Sequence, residues 1–492
     1  MDFTTVIGFL LLYFIRPQEW IDLIYDWPIV KYLMILAILA MLYAHRGFRF
    51  KDYFKTPHDW FMITYVAWVI YTAKNFSMVF SEVRNLYLFY VVIVQAVNTR
   101  ERLGKFAAWW AWLTFTVAAL AVASEFGVDP TGAYDITHGL FMKGRLVLNT
   151  TIFNNPNALA HGTFACIPML YYLYIWRRPV FLQEVIAIIL SIPAYAIYLT
   201  QSRGGYMASL ASTFISLLFG RPKILQLLFF SAMLIIIPPL MKSIRHMERP
   251  DDRGMEAGVQ GRRMAFRFGL SVIRTSHFRG LGFRQFTNYS PWKIEIRSGK
   301  PYKISRIAPH SAINCIGAEQ GRVGLYLWLG IWYCCLRTLL MSRCNDEANE
   351  RYRRFLLATV VAFLFSAWFI DIAYRGTFFI ITGAVAAFHR IVRLQLLAPE
   401  SASLADRIQQ SAHLPSPVTP HPNVQGPSVW VHPQPSSEMK TYHQQSATFS
   451  TFSIPSLFAK KIWNRFGIMD IGLVAIMTYV SIRIWEYLSN HM

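Results

Sequence analysis

Residues Phe106–Phe126 read FAAWWAWLTFTVAALAVASEF, with no charge before Glu125. As a helix, about 20 such residues span about 30 Å, the thickness of a bilayer's hydrocarbon core. A spanning segment must satisfy its own backbone hydrogen bonds, and a helix does so. Similar blocks recur at Ile186–Thr200 and Ile224–Leu240. Over all 492 residues, 54% are apolar and 16% aromatic, while only 15% are charged. A soluble chain carries roughly a quarter charged residues. Length alone suggests about three soluble domains; the hydropathy points instead to one large helical bundle.

Working outward from that block, the expected core spans are 2–15, 29–44, 59–74, 83–97, 105–126, 157–176, 179–200, 205–219, 224–241, 310–340, 355–372 and 376–391, with a last one at 466–488. Phe3–Ile15 lacks a basic leader and a small-residue cleavage site, so it is expected to be a retained helix rather than a signal peptide. Alternate loops are basic: Arg46, Arg49, Lys51 and Lys55; Arg100, Arg102 and Lys105; Arg177 and Arg178; Arg221 and Lys223; Arg343, Arg351, Arg353 and Arg354; Arg390 and Arg393. The positive-inside rule puts these loops and the N-terminus in the cytoplasm. The intervening loops 16–28, 75–82, 127–156, 200–205, 242–309 and 372–376 then lie outside.

The expected fold class is all-α, a polytopic bundle of about 12 core spans plus one C-terminal helix. Residues 1–396 form the transmembrane bundle, with 242–309 as an extracytoplasmic arginine-rich loop containing short helices. Between Lys242 and Arg306 that loop has 15 Lys and Arg against 5 Asp and Glu, about half the net charge of +21. Loops this long translocate largely regardless of charge. Residues 397–460 are rich in Pro, Ser, Gln and His and read as a disordered cytoplasmic linker. Residues 461–492 supply the last helix. Cys166, Cys315, Cys334, Cys335 and Cys344 form no C-x-x-C pair and read as thiols packing like small apolar groups.

Phosphate-loop, H-E-x-x-H and G-x-S-x-G motifs are missing from the sequence, as is a D-x-D. The largest basic cluster faces outward, which disfavours nucleic acid as a partner. Three outward features carry candidate chemistry. In Asn154-Asn155-Pro156-Asn157, Asn155 caps a helix and Pro156 opens it; a helix start of this kind also attracts anions. In Thr200-Gln201-Ser202-Arg203-Gly204-Gly205, a tight turn carries an arginine suited to a phosphate as well as to simple snorkelling. In the long loop, Arg263, Arg267 and Arg274 fall on one stripe if the segment is helical. The loop exits through Pro309-His310-Ser311. A histidine ordinarily titrates near neutrality and can take a proton from a hydroxyl, which makes His310 a candidate base, and Asn314 lies one turn on. Gly317 and Gly321 read as a close-packing pair. Glu319 is placed to pair with Arg322, and Asp371 with Arg375.

These pieces resemble the O-antigen ligase and O-antigen polymerase superfamily. The matching residues are Phe153-Asn154-Asn155-Pro156-Asn157, Ser202-Arg203-Gly204-Gly205, Arg262 and Arg263 followed by Gly280-Leu281-Gly282-Phe283, and His310 with Glu319-Gln320-Gly321-Arg322-Val323-Gly324-Leu325. They stand in the family's order over roughly residues 150–335. The resemblance implies a metal-independent inverting glycosyltransferase without cofactor, in the bacterial inner membrane with its site facing the periplasm. It would move a glycan from undecaprenyl diphosphate to a hydroxyl of the lipid A core or of another glycan, in lipopolysaccharide or other surface polysaccharide biosynthesis. His310 is the implied general base. Arg203 and Arg263, with Arg262 and Arg267 as alternatives, would hold the diphosphate. Asn155, Asn157, Asn314 and Arg375 are secondary candidates. A polymerase or a protein glycosylating ligase uses the same chemistry. A lipid-linked glycan transporter or flippase is the rival of another class, but it should place its ionisable groups near the midplane, in related halves. The last helix and the linker are additions to the common pattern.

Overall fold

The computed structural model describes residues 2–25, 27–44, 54–139, 142–218, 222, 224–228, 231, 235, 252–276, 278–297, 300–342, 344, 346–412 and 466–491. Its elements in chain order are α1 (Asp2–Phe14), α2 (Ile29–Ala44), α3 (Pro57–Tyr71), α4 (Phe76–Ala96), α5 (Arg100–Ser124) and a short α6 (Ala133–His138). Next come α7 (Pro156–Ile175), α8 (Val180–Thr200), α9 (Arg203–Leu218) and α10 (Asp252–Thr275). A short α11 (Phe286–Tyr289) precedes the antiparallel hairpin β1 (Trp292–Arg297) and β2 (Lys300–Arg306). The chain closes with α12 (Ala312–Met341), α13 (Glu347–Phe369), α14 (Gly376–Ala412) and α15 (Ile468–His491).

This is an all-α, multi-pass membrane protein. Among the described residues, eight helices are long and apolar enough to cross a bilayer: α4, α5, α7, α8, α12, α13, α15 and the first part of α14. Four further expected blocks form the shorter helices α1, α2, α3 and α9. Most of the block 224–241 lies outside the described residues.

Polar residues just ahead of the apolar runs start these helices. Thr56 and Asp59 form a reciprocal capping box around Pro57. Asn75, Thr99, Asn155, Ser311 and Asp346 each accept a main-chain N–H of the first turn. Each cap is worth about 1 kcal/mol. The core is aromatic where α3, α12, α13 and α14 meet. Phe378 packs on Tyr65 and Trp328, and Trp332 stacks on Phe363 at 4.6 Å. All five cysteines are free thiols, four of them buried.

Met1–Val392 and Trp463–Met492 form one compact unit, and Arg393–Ile462 a second. In the second unit α14 runs to Ala412, into the stretch expected to be a linker; residues 413–465 lie outside the described residues.

Within the first unit the loops gather at two ends, as their alternating charge requires. At one end Arg100 pairs with Asp346, Arg102 with Asp2, and Arg390 with Asp59. At the other, Glu19 accepts hydrogen bonds from Thr151, Arg145 reaches the turn after α8, Arg284 pairs with Glu82, and Arg375 donates to the Ile152 carbonyl. Every loop expected outside contributes to this second set of contacts.

The long loop is more ordered than expected. It holds a helix of 24 residues and a β-hairpin rather than short helices alone. The alternation in Lys293-Ile294-Glu295-Ile296-Arg297 is the period-two signal for a strand. Gly321 does not serve helix packing. It has a φ of 67° and breaks α12, and a Cβ there would run into the Phe278 carbonyl. Gly317 is the close-packed one of the pair, lying under Ile273 of α10.

Candidate functional site

The start of α7 organises the loop-rich end. Asn155 caps the helix by accepting the Asn157 N–H at 2.9 Å. Asn157 turns its side-chain oxygen outward, where the Ser202 hydroxyl donates to it at 2.7 Å. Arg145 closes the same corner, donating to the Thr200 carbonyl at 3.1 Å and to Asn157 at 3.3 Å. Gln201 takes a left-handed conformation, and the Ser202 hydroxyl then accepts the Gly205 N–H. Arg203 thereby becomes the first residue of α9.

Glycines let this corner close. Gly205 faces Ala160 so tightly that a Cβ would collide with it. A Cβ on Gly204 would lie 3.2 Å from His161 Nε2 and 3.0 Å from Phe369 Cβ. The Arg203 turn is thus seated between α7 and the end of α13. His161 is four residues after Asn157, on the same face of α7. It was not singled out from the sequence, although its spacing from Asn157 is the signal that finds it. Arg145 was also missed; an arginine in a mostly apolar outer stretch, nine residues ahead of Asn154, is its signal. Arg262 and Arg375 lie within electrostatic reach of His161, and His161 and Arg375 line a cavity with Tyr13, Trp110, Phe363 and Thr377.

His310 stands where the hairpin returns to the bundle. Its φ is 53°, the left-handed region that β-carbons disfavour. Such backbone outliers concentrate at functional sites. The next residue, Ser311, caps α12 and donates its hydroxyl to the Ala367 carbonyl at 3.0 Å. His310 and the Arg203 turn therefore flank the same end of α13, at Ala367 and Phe369.

The arginine segment is helical, as its stripe requires. In α10, Arg262 and Arg267 are exposed, while Arg263 is half-buried with no hydrogen-bond acceptor for its Nε among the described residues. Asn314 is buried against α10, its amide donating to the Ala265 carbonyl at 3.2 Å, so it packs two helices rather than facing the rim. Gly269 admits it.

The Gly280–Phe283 and Glu319–Gly321 stretches meet at the break in α12. Leu281 N–H donates to the Ala318 carbonyl at 2.9 Å and Gly282 N–H to that of Glu319 at 2.7 Å. The Glu319 carboxylate accepts the Arg284 and Phe286 N–H groups at 2.8 and 2.7 Å, so it holds this loop instead of Arg322. Arg375 likewise donates to the Ile152 carbonyl, and interacts with Asp371 only through space. Desolvation pushes the Asp371 carboxyl above the usual range, although the Ala373 N–H and Arg375 pull against it.

Compared with known proteins, the chain matches no family model, no curated protein and no solved structure.

Proposed function

We propose that the protein is an O-antigen ligase-like glycosyltransferase of the bacterial inner membrane. It has about twelve core spans and one C-terminal span, with its site at the periplasmic face. It transfers a glycan from undecaprenyl diphosphate to an acceptor hydroxyl in surface polysaccharide or lipopolysaccharide biosynthesis. One observation carries this reading: the His310 corner and the Arg203 turn, distant in sequence, flank the same end of α13.

In the proposed reaction His310 takes the proton of the acceptor hydroxyl. The acceptor oxygen attacks the anomeric carbon as the bond to the diphosphate oxygen breaks, with inversion. The departing electron pair stays on the lipid diphosphate, where Arg203 and Arg263 stabilise the growing charge, with Arg262 and Arg267 beside them. Preorganised cations suit this task. Asn157 holds the Arg203 turn, and Arg375 adds positive charge nearby.

The test is transfer in nanodiscs from undecaprenyl diphosphate-linked oligosaccharide, with and without a lipid A core acceptor, read by gel mobility. Product on the core that is lost with His310→Ala supports a ligase. A ladder of longer carrier-linked glycans without acceptor makes it a polymerase. Carrier lipid crossing the bilayer with no product in either tube overturns the enzyme reading in favour of a transporter.

A further inference from the structure

The C-terminal helix α15 is docked on the arginine helix. Near its far end the Trp485 ring packs 4.3 Å from the Phe266 ring of α10 and 5.2 Å from the Trp368 ring of α13. Trp485 is almost fully buried, whereas most neighbouring apolar residues of α15, such as Ile476 and Tyr487, are exposed as on a lipid-facing helix. One residue on, the Glu486 carboxylate accepts an ion pair from Arg274 at 3.0 Å and one from Arg483 at 2.6 Å. At the opposite end Asp470 is buried and pairs with Arg337 of α12, and Tyr333 donates to it at 2.6 Å. Two buried or ion-paired contacts, about 15 residues apart, fix the helix along its length.

The position of Trp485 matters more than its area. Trp368 lies between Ala367, which accepts the Ser311 hydroxyl, and Phe369, which abuts Gly204. Trp485 therefore joins the helix bearing Arg262, Arg263 and Arg267 to the stretch of α13 that His310 and Arg203 flank. On the other side α10 rests on α12 through Gly269, Asn314 and Ile273. We propose that α15 is a brace for the lipid-diphosphate site, with Trp485 and Glu486 as positioning residues that set α10 against the end of α13. This rests on the proposed transferase reading, because it assigns the arginines of α10 to the diphosphate.

The experiment uses the full chain in nanodiscs and undecaprenyl diphosphate as the probe. Trp485→Ala is expected to weaken lipid-diphosphate binding about tenfold and to raise the donor KM in step, with kcat changed less than about threefold. Trp485→Phe restores most of the affinity. Glu486→Arg weakens binding, and adding Arg274→Glu recovers it, a rescue that general destabilisation does not give. Ile476→Ala on the lipid-facing side leaves binding unchanged. Unchanged affinity in both Trp485→Ala and Glu486→Arg overturns the brace, as does failure of the charge swap to recover binding. A second measurement is independent of the ligand: a short bismaleimide should link Phe266→Cys to Trp485→Cys in membranes, and no link removes the docking itself. If the double-cysteine chain links while the parent chain binds no lipid diphosphate, the transferase reading fails and the positioning role falls with it, while the docking stands.

Discussion

The two ends of the bundle treat arginine differently. At the end whose loops the charge pattern assigns to the inside, guanidinium groups meet carboxylates. Arg390 donates to Asp59 at 2.7 Å, and the same carboxylate accepts the Thr56 N–H and hydroxyl and the Tyr90 hydroxyl. Arg353 and Arg354 share Glu350, and Arg351 takes Glu347. At the end whose loops the charge pattern assigns to the outside, Arg145 and Arg375 donate to main-chain carbonyls, while Arg16 pairs with Glu19 and Arg284 with Glu82. A carbonyl satisfies N–H groups through a dipole rather than a full charge. One end thus ties its arginines mainly to carboxylates, while the other ties them to carboxylates and main-chain carbonyls alike.

Four substitutions probe that contrast. His310→Ala has the largest expected effect, a loss of transfer of about a thousandfold with insertion unchanged, from loss of the proposed general base. Retained activity in the nanodisc assay would break the outer-end assignment. Asp59→Asn should cost about 3 kcal/mol, because Arg390 loses its partner in a buried setting. Thermal unfolding in detergent reads this, and turnover of the folded fraction should match the parent. A fall in turnover instead would make the inner end part of the site. Arg203→Ala should slow transfer about a hundredfold, as expected for one lost charge donor. Arg145→Ala should lower it about tenfold through a loosened Gln201 turn, with Arg145→Lys recovering little because a single ammonium cannot fork to several acceptors.

The smallest effect is on pH dependence. Burial would raise the Glu19 carboxyl, but hydrogen bonds from Arg16 and Thr151 outweigh it, and its native value lies below the ordinary 4.5. A depressed value of this kind stabilises the fold above pH 4.5 and stops doing so as pH falls through the native value. The thermal stability gap between parent and Glu19→Gln should therefore narrow as pH drops below that point. A gap that widens would mean the loop contact is not held by the charged form.

Much of this architecture is legible in the chain. Basic loops alternate because charge position decides sidedness, and the two sets of loop contacts follow that alternation. Asn155-Pro156 marks the start of α7 through chemistry local to four residues. The break at Gly321 is less legible. Gly-x-x-x-Gly reads as packing, and only the docked Phe278–Phe286 segment, about 40 residues earlier in the chain, makes a positive φ favourable there. Glu319 is similar, since three residues of spacing suggest Arg322 while the fold supplies two N–H groups. For α15 the apolar run reveals a span, but nothing in it names Phe266 or Trp368 as partners. The roles of Arg203 and His310 come from resemblance; what the fold adds is their common neighbour, α13.

The loop seated on α12 also bears on the order of assembly. Residues 278–286 leave the ribosome before the Ala318 and Glu319 carbonyls that hold them, and α15 follows after the whole second unit. The corner built around His310 is thus finished late. The arginine helix α10 therefore meets α12 before it can meet α15, and the packing of Trp485 on Phe266 and Trp368 forms only after α1–α14 have been made.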